Sequence, residues 1–235
     1  MMDFNADIGE GGKDDRAMLD CITSCNIACG GHAGDRDSIR QTLLWAQQAS
    51  VAVGAHPSYP DIEYFGRKSF SMSAEDLQTT LLEQLELFRA CLNDLNMYWH
   101  HIKPHGALYN DLVHDRELGV LFLKVLEALD FRGVVYALAG SPWVEQLQAA
   151  GVTVWQEGFV DRRYTDAGEL LSRQEPQAVL TQSEAILQQA KALHQGQVVT
   201  AGGKTIPLNC QTLCLHSDTP NALSHARLLA QYFRI

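Results

Sequence analysis

HHIKPHGALYN, residues 100–110, runs from a short strand-like segment into Pro104, His105 and Gly106. Proline fixes the backbone and glycine frees it for a sharp turn. Strand alternation makes Lys103 the last inward residue and gives His105 the same parity. A lysine pushed into a closed mouth either loses its proton and serves as acid or base, or stays charged and holds an anion. A histidine beside it titrates close to neutrality. A Lys–Asp ion pair under a capped turn is the plainer account of the same residues.

Outward from this stretch the same form recurs. Strand-like runs at MDFNAD (2–7), TSCNIAC (23–29), VAVGA (51–55), VVYALA (134–139), VTVWQE (152–157) and TLCLH (212–216) bring the number to seven. Helical periods alternate with them. Ile39, Leu43 and Ala46 follow Asp35; Leu77 to Leu95 follow Ser73 as N-cap; Leu118, Phe122, Val125 and Leu129 mark a third helix. Ser141-Pro142 and Thr219-Pro220 read as cap-then-proline starts, and Thr181 with Glu184 as a capping box. QVVTAGGKTIPL (197–208) reads as a hairpin insertion. Strands alternating with helices predict a parallel sheet.

Each strand leaves through a polar or glycine-rich exit: NADIGEGG, CGGHAGD, GAHPSYPD, KPHGALYN, LAGSPW, EGFVDRRY and LHSDTP. The opposite ends, QQASVAV, LDFRGVV and AAGVTV, are plain. Function gathers at the carboxyl ends of parallel strands. Converging exits predict an α/β fold, a TIM-like β/α barrel forming a single domain over 1–235, with an open doubly wound sheet as the alternative. The exits carry Asp7 and Glu10, His32, His56, Lys103 and His105, then Glu157, Asp161, Arg162 and Arg163, then His216 and Asp218. His194 and His225 read as solvent-facing, His114 as decoration at a helix start, and one of His100 and His101 as inward.

The totals exclude several partners. A net charge of −10 without a basic run disfavours nucleic acid and anionic membrane. MMDFNADIGE does not read as a signal peptide, and no window reaches the roughly 18 apolar residues of a membrane span, so a cytoplasmic protein is expected. Cys21, Cys25 and Cys29 invite a metal reading, but their spacing lacks the short pairs of zinc sites, and buried free thiols are the better account. AGGKT (201–205) imitates a phosphate loop, yet position 198 is valine where glycine is required.

These blocks, with FGRK at 65–68, resemble the successive motifs of the LamB/YcsF family, in order and over nearly the whole chain. The family usually shows Cys where Ala6 stands, often Phe at Gly31 and Gly at Ser217; none of these changes touches an ionisable group. The resemblance implies a barrel of the glycoside hydrolase/deacetylase type, often drawn with seven strands. It implies the role of the LamB/YcsF component in an ATP-dependent 5-oxoprolinase, which opens the lactam of 5-oxoproline to glutamate with ATP hydrolysis beside partner subunits B and C. On that reading Asp7 and His56, with Glu157, activate water. Lys103 and His105 deliver protons and stabilise the oxyanion. Arg67, Arg162 or Arg163 holds the anion, helped by the helix starts at Ser141 and Thr219. Glu10, His32, Asp161, His216 and Asp218 complete the substrate site. ATP is engaged by or with the partner subunits, and the metal content is open. The rival readings are a metal-dependent deacetylase-like hydrolase, with Asp7, His32 and His56 as ligands, and a non-catalytic lactam-binding scaffold.

Overall fold

A computed structural model describes residues 2–234. In chain order its strands are β1 (Asp3–Ile8), β2 (Ser24–Ala28), β3 (Ala52–His56), β4 (His101–Ile102), β5 (Val134–Leu138), β6 (Thr153–Phe159), β7 (Gln197–Val199), β8 (Thr205–Pro207) and β9 (Thr212–Cys214). Seven of them are parallel neighbours in a closed barrel, β1-β2-β3-β4-β5-β6-β9, sealed where β9 pairs with both β6 and β1. Closure decides against the open sheet. β7 and β8 form the expected hairpin, so Gly203 and Lys204 lie in an antiparallel turn and not between a strand and a helix.

The strands alternate between two environments. Phe4, Ala6, Ile8, Cys25, Ile27, Val53, Ala55, Ile102, Val135 and Leu213 face outward and are buried under the helices. Each large one contributes roughly 1.5–3 kcal/mol by leaving water. The inward positions are polar. Asn26 donates to Asn5 Oδ1 and Asp7 Oδ1, both at 2.8 Å, and accepts from His101 Nε2 at 2.7 Å. Asn5 donates to Glu157 at 3.0 Å and Thr212 at 2.7 Å, and Thr212 donates to Asp3 at 2.6 Å. Both protons of each amide are used, as a buried polar network requires. Gly54 makes room for the ring at its base: a Cβ there would lie 2.2 Å from His101 Cδ2. Gly54→Ala is therefore expected to cost about 1–3 kcal/mol by overpacking, seen as a lower Tm; an unchanged Tm would show that His101 is free to move.

The helices are α1 (Asp15–Met18), α2 (Arg36–Ala49), α3 (Ala74–Asp94), α4 (Gly106–His114), α5 (Arg116–Ala128), α6 (Pro142–Ala149), α7 (Ser183–His194) and α8 (Ala222–Phe233). Asp35 and Ser73 cap α2 and α3 as expected, Asp35 in a reciprocal box with Ser38. Ser141 precedes a proline at the start of α6 but makes no side-chain cap. Three expectations fail. The N-cap of α7 is Gln182, so Thr181 and Glu184 form no box. α8 begins only after Asn221 in a left-handed conformation, because the Thr219 hydroxyl is turned onto Asp161. His225, expected to face solvent, is buried between Ser183 Oγ and the Pro220 carbonyl, while His114 ends α4 directly before the Asp115 cap of α5. Among the described residues no helix is long and apolar enough to cross a membrane.

Candidate active site

The carboxyl ends of the barrel strands open into one cleft of about 600 Å³. Of the expected residues, Asp7, Glu10, His56, Arg67, Lys103, His105, Arg162, His216 and Asp218 line it. His32, Glu157, Asp161 and Arg163 do not. His32, Glu157 and Asp161 stand behind lining residues and touch them, whereas Arg163 is half-buried and off the wall. The starts of α6 and α8 contribute no lining residue either.

The 102–110 stretch is both turn and chemistry. Lys103 and His105 share inward parity, and Gly106 takes φ +55 to open α4. A Cβ at Gly106 would come within 2.5 Å of the Gly66 carbonyl, so this turn packs directly on the FGRK segment. Ala107 N–H donates to that carbonyl at 2.9 Å, and His105 Nε2 bonds the Phe65 carbonyl at 2.9 Å.

Lys103 is 2 % exposed. Its ammonium lies 2.9 Å from Glu157 Oε1, 3.0 Å from Asp7 Oδ1 and 3.1 Å from Cys214 Sγ. Burial alone would lower its pKa, but the charge of Asp7, with Cys214 and Glu157, outweighs that and holds the ammonium above the usual lysine range. Lys103 is thus a fixed cation, suited to holding developing negative charge and not to delivering a proton near neutrality. Burial would raise Asp7, yet His56 and Lys103 outweigh it and keep the carboxyl well below the usual range. With Asn26 and Lys103 both on Oδ1, Asp7 is a poor base. Glu157 is fully buried and bound to Asn5 and Lys103, one pleat below the cleft.

His216 is placed differently. Its Nδ1 sits 3.0 Å from each oxygen of Asp161, which also accepts from the His216 N–H at 3.2 Å and from Thr219 Oγ1 at 2.5 Å. Burial raises the Asp161 carboxyl, but His216 outweighs it and brings the carboxyl below its ordinary value. A carboxylate holding Nδ1–H leaves Nε2 as the lone-pair nitrogen. The ring stacks on Phe159 at 5.3 Å between centroids and lines the cleft. A carboxylate-oriented imidazole is the arrangement of a general base.

Cations gather at the rim. Arg67 pairs with Asp218, which Arg173 also approaches at 3.4 Å. Arg162 has its Nε buried without a partner among the described residues, and burial with Arg173 nearby pushes its pKa down to about 10. Arg173 and Tyr109, whose buried hydroxyl also lacks a partner there, have no signal in the sequence. Arg173 belongs to the part of the loop after Tyr164, beyond the EGFVDRRY exit and without a motif of its own, and Tyr109 to a helix that the sequence pattern does not separate from the exit. Asp15 anchors the first exit by accepting from Gly9 N–H at 2.9 Å, and burial pushes its carboxyl up to about 6. The folded state therefore holds this proton more tightly than the unfolded chain. Its contribution to stability is full below the ordinary carboxylate range and is lost as pH rises to about 6. Asp15→Asn is expected to raise Tm at pH 8 more than at pH 4; equal shifts at both would contradict the assignment.

The model of the LamB/YcsF family matches residues 2–234. This chain belongs to the LamB/YcsF family. Among solved structures it is similar to the lactam utilization protein from Thermus thermophilus, with 31% identity and a TM-score of 0.90 over 99% of this chain and 97% of that one. A lower similarity, TM-score 0.48 at 10% identity over 99% of this chain and 87% of the other, is to a family 4 carbohydrate esterase from Streptomyces lividans in complex with acetate. The LamB/YcsF motifs of this chain fall where they build the cleft. Ala6 faces outward into the apolar layer, so its departure from the family's usual cysteine leaves the site untouched. Gly31 is matched by Gln84: a Cβ at Gly31 would meet Gln84 Oε1 at 2.4 Å, and Gln84 holds Ser58 N–H at 3.0 Å.

Proposed function

We propose that this LamB/YcsF chain is the ring-opening component of an ATP-dependent 5-oxoprolinase, acting on the lactam of 5-oxoproline beside partner subunits B and C. The observation that carries the reading is the carboxylate-oriented His216 and the fixed Lys103 cation on the wall of one cleft whose rim holds arginines. Family membership and the likeness to a lactam utilization protein support the same substrate class.

An unstrained five-membered lactam keeps its amide resonance and recloses readily. Phosphorylation of the lactam oxygen by ATP makes the ring carbon electrophilic and provides a leaving group. Water attacks that carbon while His216 Nε2 takes its proton. The negative charge on oxygen develops toward Lys103. The carbon–nitrogen bond then breaks as the ring nitrogen takes the proton held on His216, leaving an acyl phosphate that a second water hydrolyses to glutamate and phosphate, and Arg162 or Arg173 holds the substrate carboxylate or the phosphate. His216 replaces Asp7 and Glu157 as the base because both carboxylates are already committed to Lys103.

The test is 5-oxoproline-dependent ATP hydrolysis and glutamate release, measured with the three subunits together and with this chain omitted. Glutamate release only from the full set is expected. Equal release without this chain, or none with it, overturns the proposal.

A further inference from the structure

His56 and His105 meet in a way that leaves a charge unaccounted for. His56 Nδ1 lies 2.7 Å from the Lys103 carbonyl and His105 Nε2 lies 2.9 Å from the Phe65 carbonyl. A carbonyl only accepts, so each of these nitrogens carries the ring proton. The neutral rings therefore turn two lone pairs, His56 Nε2 and His105 Nδ1, toward each other at 3.0 Å. Both side chains are buried, at 1 % and 5 % exposure, and no donor among the described residues serves either nitrogen.

Two carboxylates close on the same point. Asp7 Oδ1 lies 3.4 Å from His56 Nε2, and Glu10 Oε1 lies 3.5 Å from His105 Nδ1 and 3.9 Å from His56 Nε2. One ligand atom from each of Asp7, Glu10, His56 and His105 falls within 4.8 Å of the others. Donors bound at about 2.0–2.2 Å from one ion stand roughly 3–3.5 Å apart along the edges of its coordination shell. The spacing between the imidazoles is of that size.

We infer that Asp7, Glu10, His56 and His105 form a binding site for one divalent first-row transition ion. Two imidazoles among the four ligands favour zinc, iron, cobalt or nickel over magnesium and calcium. The outer shell has the form such sites need. Backbone carbonyls fix the tautomer and direction of both rings. His32, which the sequence offers as a ligand, instead bonds Glu10 Oε1 at 2.9 Å and stacks on His105 at 3.7 Å, so it positions two ligands. All four ligand residues line the cleft, so an ion held there faces the space in which substrate would sit. The inference does not rest on the 5-oxoprolinase reading.

The experiment strips the purified chain with chelator, adds Co²⁺ or Zn²⁺, desalts it and counts metal by elemental analysis. One equivalent per chain and a raised Tm are expected. His105→Gln and Glu10→Gln, checked as folded by circular dichroism, are expected to retain less than a tenth of that metal. The Co²⁺-loaded wild type serves if either variant fails to fold. Two hyperfine-shifted imidazole N–H resonances, from His56 and His105, are expected in its proton spectrum. Less than a tenth of an equivalent in the wild type, full retention in the folded variants, or a Co²⁺ spectrum without those resonances overturns the site. A shared proton is then what joins the two rings. Ring-opening turnover is measured separately, so loss of metal binding and loss of the functional reading are distinguishable.

Discussion

Lys103→Met is expected to destabilise the protein by about 3–5 kcal/mol, the cost of leaving buried opposite charge unpaired, and to cut turnover by roughly 10²–10³-fold. The first effect follows from the two carboxylates it abandons. Asp7 is 5 % exposed and Glu157 fully buried, and both bond the ammonium at 2.9–3.0 Å. Without it they face each other with only amide donors between them. For a chain of this size such a loss corresponds to a fall in Tm of roughly 10 °C. The second effect follows from position, since the ammonium reaches the cleft wall where the lactam oxygen would gain charge. Adding Glu157→Gln to Lys103→Met removes one abandoned charge and is expected to return part of the lost Tm without returning turnover. A single variant with unaltered Tm would show that the carboxylates are neutral in the native state. One with normal glutamate release would remove Lys103 from the chemistry.

His216→Gln is expected to lower kcat by roughly 10²–10⁴-fold, the usual worth of a positioned general base, with KM changed little. Asp161→Asn keeps the shape and still accepts from the His216 N–H and Thr219, but it no longer holds Nδ1–H through a charge. It is expected to lose kcat in the same direction by a smaller factor, because the imidazole remains present. Steady-state glutamate release by the assembled subunits reads both. A rise in KM with kcat preserved would make His216 a substrate-binding group.

Much of this site is visible in the primary structure because alternation and the end rule are local. Asp7, His56, Lys103 and His105 sit at the inward parity of strand ends, so any barrel of these strands gathers them. The polar interior is less visible. Asn5, Asn26, His101 and Thr212 are spread over the chain, and only closure makes them bond one another. Glu157 reads as an exit residue but lies inside β6, since the strand continues to Phe159. His225 reads as solvent-facing on its helix, yet α8 packs it against Ser183 at the start of α7. α4 is hidden because its nine residues start within the exit itself and end where Asp115 caps the next helix. Loop 160–182 supplies Arg162 and Arg173 through isolated bridges, Arg162 to Val179 and Tyr164 to Leu170, which no short pattern announces.

The pairing that seals the ring has a consequence for synthesis. Asp3 and Thr212 are bonded across 209 positions. At ribosomal speeds of about 5–20 residues per second, β1 waits roughly 10–40 s for its last neighbour. Throughout that interval the nascent sheet has a bare edge on each side, open to chaperones or to another chain. A shortened translation product ending before β9 would have neither the seal nor His216, so synthesis yields a complete pocket or none.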